Sequence, residues 1–302
     1  MDDRIYDDVL EVIGHTPLVR LARISPAGGA EICAKLEARN PGGSVKDRPA
    51  LAMIVAEEKA GRLGPGATIV EATSGNTGIS LAMIAAVRGY KCVLVMPEDM
   101  SMARRLLVRS YGADVVLTPA QEGMAGAVEH ARRLTKQTPG AFMPQQFDNA
   151  ANPDVHEQTT GEEIWRATRG ELSACVIGVG TGGTLTGVAR ALKKHRADVR
   201  IVAAEPKASA VLSGGEPGLH GIQGLGAGFV PKVLDRGLID EVVTVTDLAA
   251  DRMQKRLARE EGLLVGPSSG ANVHAALEIA KRMKPGERVV TILCDTGERY
   301  LV

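Results

Sequence analysis

The chain reads as an α/β protein with doubly wound, mostly parallel sheets, on three grounds. Short β-rich runs alternate with longer helical segments almost throughout its 302 residues. The runs are continuously apolar, as expected of strands covered on both faces. Glycine-rich turns follow several runs and open the next helix. The expected strands are 69–70, 92–96, 115–117, 175–178, 201–204 and 289–293. The expected helices are 49–60, 76–88, 101–110, 125–134, 185–194, 248–259 and 272–282. The polar stretch 144–153 breaks the alternation and marks a domain boundary. Residues 206–231, rich in glycine and without periodicity, read as a functional loop.

Composition narrows the function. Hydrophobic residues make up 44% but aromatics only 3%, so aliphatic and alanine packing must fill the core. Lys plus Arg and Asp plus Glu each number 36, and no long basic run occurs, which argues against nucleic acid or an anionic membrane as partner. No apolar stretch approaches a membrane span, and the start Met1-Asp2-Asp3 lacks signal-peptide character. Cys33, Cys92, Cys175 and Cys294 are dispersed among apolar runs, as in a reduced, cytoplasmic protein. The six histidines show no ligand spacing, so no metal site is expected.

Four turns carry candidate chemistry. Lys46 lies in Pro41-Gly42-Gly43-Ser44-Val45-Lys46-Asp47-Arg48, a loop that feeds a helix. The positive potential of a helix start disfavours a cation there, which suits a lysine used as a neutral amine in Schiff-base chemistry. A plain surface lysine beside Asp47 is the alternative. Gly178-Val179-Gly180-Thr181-Gly182-Gly183-Thr184 follows a strand and opens a helix, the form of a phosphate cradle. The same glycines fit the dinucleotide pattern, with Glu205 at about the right distance, so an NAD-dependent oxidoreductase competes. Thr181 and Thr184 add hydroxyls, which favour a terminal phosphate.

Thr73-Ser74-Gly75-Asn76-Thr77 clusters donor side chains after another strand. It can grip a carboxylate without a charged residue, although helix capping would also use such side chains. Gly266-Pro267-Ser268-Ser269-Gly270 is a third such turn, and 295–300 follows the last strand. Turns at the carboxyl ends of strands in an α/β sheet are where ligands bind. A phosphate cradle, a carboxylate cradle, a hydroxyl and an amine together point to pyridoxal 5′-phosphate.

At these residues the chain resembles the cysteine synthase (O-acetylserine sulfhydrylase) family of fold-type II pyridoxal-phosphate enzymes. The likeness runs from 13–18 to 297–301, and the motifs G-S-V-K-D-R, T-S-G-N-T-G, G-T-G-G-T and S-S-G-A occur in that order. It implies that Lys46 forms the Schiff base and moves the Cα proton, and that Asn76 bonds the cofactor's phenolic oxygen. It further implies that Gly180, Thr181, Gly182, Gly183 and Thr184 hold the phosphate and that Ser268 faces the pyridine nitrogen. Thr73, Ser74, Gly75, Asn76, Thr77 and Gln146 match the substrate-carboxylate site. The implied reaction is β-replacement through an α-aminoacrylate, turning O-acetylserine and sulfide (or thiosulfate) into cysteine. Cystathionine β-synthase-type condensation with homocysteine is the alternative within the family. The implied domains are a larger, cofactor-anchoring one of residues 1–45 and 150–302, and a smaller, mobile, substrate-binding one of 46–149. A homodimer is implied, as is association with serine acetyltransferase, although the lysine that follows the histidine in many relatives is Gly221 here.

Overall fold

The computed structural model describes residues 4–301. Its strands are β1 (Leu18–Arg20), β2 (Glu31–Leu36), β3 (Thr68–Ala72), β4 (Lys91–Pro97), β5 (Asp114–Thr118), β6 (Ala141–Phe142), β7 (Ala174–Gly178), β8 (Arg200–Pro206), β9 (Glu241–Val245) and β10 (Arg288–Leu293). The helices are α1 (Asp47–Lys59), α2 (Asn76–Arg88), α3 (Met102–Ser110), α4 (Gly123–Gln137), α5 (Ala151–Val155), α6 (Glu162–Thr168), α7 (Gly183–His195), α8 (Asp247–Glu261) and α9 (Pro267–Ala280). A π-helical turn, His156–Gly161, joins α5 to α6. Two compact units result: 4–13 with 40–151, and 14–39 with 152–301.

The smaller unit has an all-parallel sheet in the order β5-β4-β3-β6. Side chains alternate along its strands. Ile69, Cys92, Leu94 and Met96 pack with Ile54 of α1, Leu81 of α2 and Val108 of α3. Val70, Ala72 and Val95 pack with Ala127 and Ala131 of α4. The larger unit has the order β1-β2-β10-β7-β8-β9, parallel except for β1 against β2. Ile32, Val176, Val202 and Val289 meet Met253 of α8 and Ile279 of α9. Cys33, Cys175, Ile201 and Val290 meet Ile164 of α6 and Val188 of α7. Apolar side chains leave both faces of each sheet, which is why the sequence runs are continuously apolar.

Four strands escape the sequence pattern. In β2 the charges Glu31 and Lys35 interrupt the apolar run. Lys35 is nonetheless buried, its charge met by Glu163 of α6 at 2.6 Å. Strands β1 and β6 are three and two residues long, and β9 is only partly buried over most of its length. Helix α9 starts at Pro267, five residues before the expected Asn272, because Gly266 is its extended N-cap and Pro267 suits the first turn. Residues 4–13 and 40–45 fall in the smaller unit, whereas the sequence expectation placed 1–45 in the larger. Leu10 joins the cluster around Ile54 and Ile79, which draws its segment there.

Between β8 and β9 the chain forms only the short 3-10 turns Lys207–Ser209 and Arg236–Leu238. Burial pushes the thiols of Cys92 and Cys175 up to about 12, and burial together with the Glu31 carboxylate pushes Cys33 up to about 11. These three thiols are expected to resist alkylation by iodoacetamide at pH 8 while the fold is intact. Mass spectrometry of the native protein, against a urea-unfolded control, checks this.

Candidate active site

In the smaller unit, Lys46 is the half-buried N-cap of α1. Its loop is shaped by Asp47, which is completely buried. Gly42 N donates to Asp47 Oδ2 at 2.6 Å, and Ser80 Oγ of α2 donates to Asp47 Oδ1 at 2.5 Å. A Cβ on Gly42 would stand 2.3 Å from Asp47 Oδ1, so only glycine permits this approach. Ser80 Oγ also lies 3.1 Å from Asn76 O. Asp47 therefore links the lysine loop to the helix that begins at Asn76.

Residues 73–77 join β3 to α2. The N-cap of α2 is Gly75, and no side chain caps it. Capping therefore does not account for the donor cluster. Thr77 Oγ1 instead donates to Gln146 Oε1 at 2.7 Å, bringing Gln146 to the turn. Thr73 Oγ1 accepts from Gly75 N at 3.2 Å, and Arg104 donates to Ser74 O at 3.2 Å. Hydroxyls, an amide and the first α2 N–H groups thus gather without a charged side chain among residues 73–77, and the helix dipole favours an anion there.

In the larger unit, the turn 178–184 ends β7 and opens α7. Its glycines answer different demands. Added Cβ atoms at 180 and 183 would stand 2.2 Å from Gly224 O and 2.0 Å from Asn152 Oδ1, and Gly182 holds φ +85°. Asn152 Nδ2 donates to Thr181 Oγ1 at 3.2 Å, while His156 Nε2 and Thr184 Oγ1 share a hydrogen bond of 3.2 Å. Both supporting side chains are buried, and His156 Nδ1 is bonded to Thr160 Oγ1 at 2.9 Å. The loop around Gly224 lies against this turn, since Gly226 N donates to Val179 O at 3.0 Å. It also approaches Ser268: a Cβ on Gly224 would stand 3.7 Å from Ser268 Oγ. Ser268 is buried in the first turn of α9, and among the described residues its hydroxyl has no partner. Asp295 lies beside Gly266, with Tyr300 Oη donating to Asp295 Oδ2 at 2.5 Å.

Glu205 does not serve a nucleotide ribose. Its buried carboxylate accepts from Leu212 N, Ser213 N and Ser213 Oγ at 2.6–2.9 Å, which commits it to the following loop.

A profile of the pyridoxal-phosphate dependent enzymes matches residues 9–295. The chain belongs to that family. It is 52% identical over 302 residues to a cysteine synthase of Staphylococcus aureus strain N315, covering all of this chain and 97% of that protein. Among solved structures, O-ureido-L-serine synthase superposes with a TM-score of 0.96 at 47% identity, over 99% of this chain and 94% of the other. A cysteine synthase from Entamoeba histolytica superposes with a TM-score of 0.95 at 41% identity, over 100% and 90%.

The family's cofactor suits the larger unit's cradle. A phosphate monoester needs several donors and a close backbone, and glycine-only positions, two supported threonine hydroxyls and the α7 start provide them. The unpartnered Ser268 hydroxyl suits a ring nitrogen without forcing its protonation.

Sequence reasoning missed the supporting residues Asp47, Glu71, Asn152 and His156. In sequence Asp47 reads only as a counter-charge, and Glu71 as the first residue of the turn after the expected strand.

Glu71 is buried on β3, and burial raises its carboxyl from 4.5 to about 7 against the opposing backbone N–H bonds. The folded protein thus holds this proton over a window where the unfolded chain has released it. This group's contribution to stability therefore falls as pH rises from about 4.5 to about 7. Urea titrations at pH 5 and pH 7.5 should show that fall, and Glu71→Gln should flatten it.

Proposed function

We propose that the chain is a cysteine synthase that converts O-acetyl-L-serine and sulfide into L-cysteine and acetate. The donor cluster of residues 73–77 carries this reading, in a chain whose full-length relative bears that name. Bound pyridoxal phosphate supplies the electron sink that makes the Cα proton acidic and lets acetate leave Cβ. Lys46 contributes the amine that binds the cofactor's aldehyde. Once released, it takes the Cα proton and returns it after sulfide has added. Thr73, Ser74, Asn76, Thr77 and Gln146 hold the amino-acid carboxylate, and Asn76 also orients the cofactor through its phenolic oxygen. Thr181 and Thr184, with the amides of 182 and 183, hold the phosphate, and Ser268 meets the pyridine nitrogen.

The donor follows from charge. The loop 221–229 holds no lysine or arginine, and Gln223 offers only an amide. A dianionic phosphate ester would lose hydration there without a cation to replace it. O-Acetylserine is expected to exceed O-phosphoserine at least about tenfold in kcat/KM, or roughly 1.4 kcal/mol. Gln223→Arg should narrow the gap. Initial rates with O-acetylserine, O-phosphoserine and serine, each against sulfide and homocysteine, test the reading. Faster turnover with homocysteine than with sulfide would assign the chain to condensation instead.

A further inference from the structure

We infer that Glu71 is a positioning residue for the substrate carboxylate, acting by clamping the Gln145-Gln146 backbone so that Gln146 meets Thr77. This inference rests on the reading of residues 73–77 as the carboxylate site. Glu71 Oε1 accepts from Ala72 N and Oε2 from Gln145 N, each at 2.9 Å, and Gln146 N also bonds this carboxylate. One buried side chain thus grips the strand end that leads into Thr73 and the segment that carries Gln146.

The gripped segment is strained. Gln145 has φ +55°, a conformation that a non-glycine residue keeps only when its surroundings enforce it. The turn is closed by Asp148 N and Asn149 N, which donate to Gln145 O at 2.9 and 3.1 Å, and by Asn149 Nδ2, which donates to Pro144 O at 3.0 Å. Gln146 then presents Oε1 to Thr77 Oγ1 at 2.7 Å. Through this bond the Gln146 amide is fixed beside the donor side chains of residues 73–77. Thr77 stands in the first turn of α2, so the clamp fixes both partners relative to the same helix start.

A carboxylate buried for mere packing would be an expensive choice, because desolvation works against its charge. No charged side chain on β4, β6, α2 or α4 contributes to its shift; burial and the three backbone N–H groups account for it. The titratable group it acts on is the Cys92 thiol of the neighbouring strand, which Asp114 and Glu71 push further in the direction of burial. A charged carboxylate accepts all three N–H bonds, whereas a protonated one turns one oxygen into a donor that faces an N–H.

Glu71→Gln keeps the shape and forces an NH₂ group against one of those N–H donors. With the holoenzyme, KM for O-acetylserine is expected to rise about tenfold or more, while kcat stays within about threefold and cofactor absorbance is unchanged. Amide exchange of the cofactor-free protein is expected to lose protection at Gln145 and Gln146 and to keep it along β3 and β4. In the unmodified protein, protection at these two amides should fall between pH 8 and pH 6 relative to the strand amides, a comparison that stands even if the variant does not fold. An unchanged KM, protection lost evenly across the sheet, or pH-independent protection at Gln145 and Gln146 would each overturn the inference. Thr77→Ala and Gln146→Ala separate the two claims. If both leave KM unchanged, the carboxylate-site reading itself fails; if they raise it and Glu71→Gln does not, the clamp alone fails.

Discussion

Lys46→Ala is expected to fold, to lose the visible absorbance of cofactor bound through its amine, and to turn over O-acetylserine roughly 10³-fold or more slowly. Two duties disappear together, the covalent anchor and the base at Cα. The loop itself should survive, since Asp47 holds it through Gly42 N and Ser80 Oγ. Lys46→Arg should fare little better, because a guanidinium stays protonated and cannot form the bond to the aldehyde. Absorption spectra and initial rates decide. Wild-type absorbance in Lys46→Ala would remove this residue from its role.

Asp47→Ala is expected to cost about 3 kcal/mol of stability and roughly 6–12 °C of melting temperature. Asp47 is fully buried and receives hydrogen bonds from Gly42 N and Ser80 Oγ, so the truncation opens a cavity, removes the carboxylate from Gly42 N and leaves Ser80 Oγ with only its weaker bond to Asn76 O. Asp47→Asn keeps the volume and one acceptor and should lose about half as much. Because the same carboxylate holds the Lys46 loop against α2, Asp47→Ala should also slow the holoenzyme at temperatures where it remains folded. Thermal unfolding followed by circular dichroism checks the first part. A change under about 0.5 kcal/mol would show that water replaces the carboxylate at no cost.

The fold was legible wherever side chains repeat a simple pattern. Strands β3, β4, β7, β8 and β10 are runs of apolar residues, and their cores show why: alternate side chains fill clusters on opposite faces. Strand β2 was hidden because Lys35 is charged in sequence and meets its opposite charge in Glu163, 128 residues away. No local pattern encodes such a partner. The π turn at His156–Gly161 was hidden for a similar reason: its polar residues fit no helix or strand pattern in sequence, while His156 is wholly buried and bonded to Thr184.

The candidate site was legible as four separate turns, because glycine and hydroxyl residues at strand ends have local meanings. What holds those turns was not. Gly42 needs to be glycine only because Asp47 folds back onto it, and Gly183 only because Asn152 stands against it. Glu71 precedes the donor cluster by two residues, yet its bond to Gln145 spans 74 positions. The chemistry of the site is written locally and its support is written at long range.

Borohydride reduction of the holoenzyme, followed by proteolysis and peptide mapping, tests the central claim most directly. Reduction fixes the cofactor to whichever amine carries it. The account predicts a single labelled peptide containing Lys46. A label on any other lysine, or none on a holoenzyme that still makes cysteine from O-acetylserine and sulfide, would contradict it.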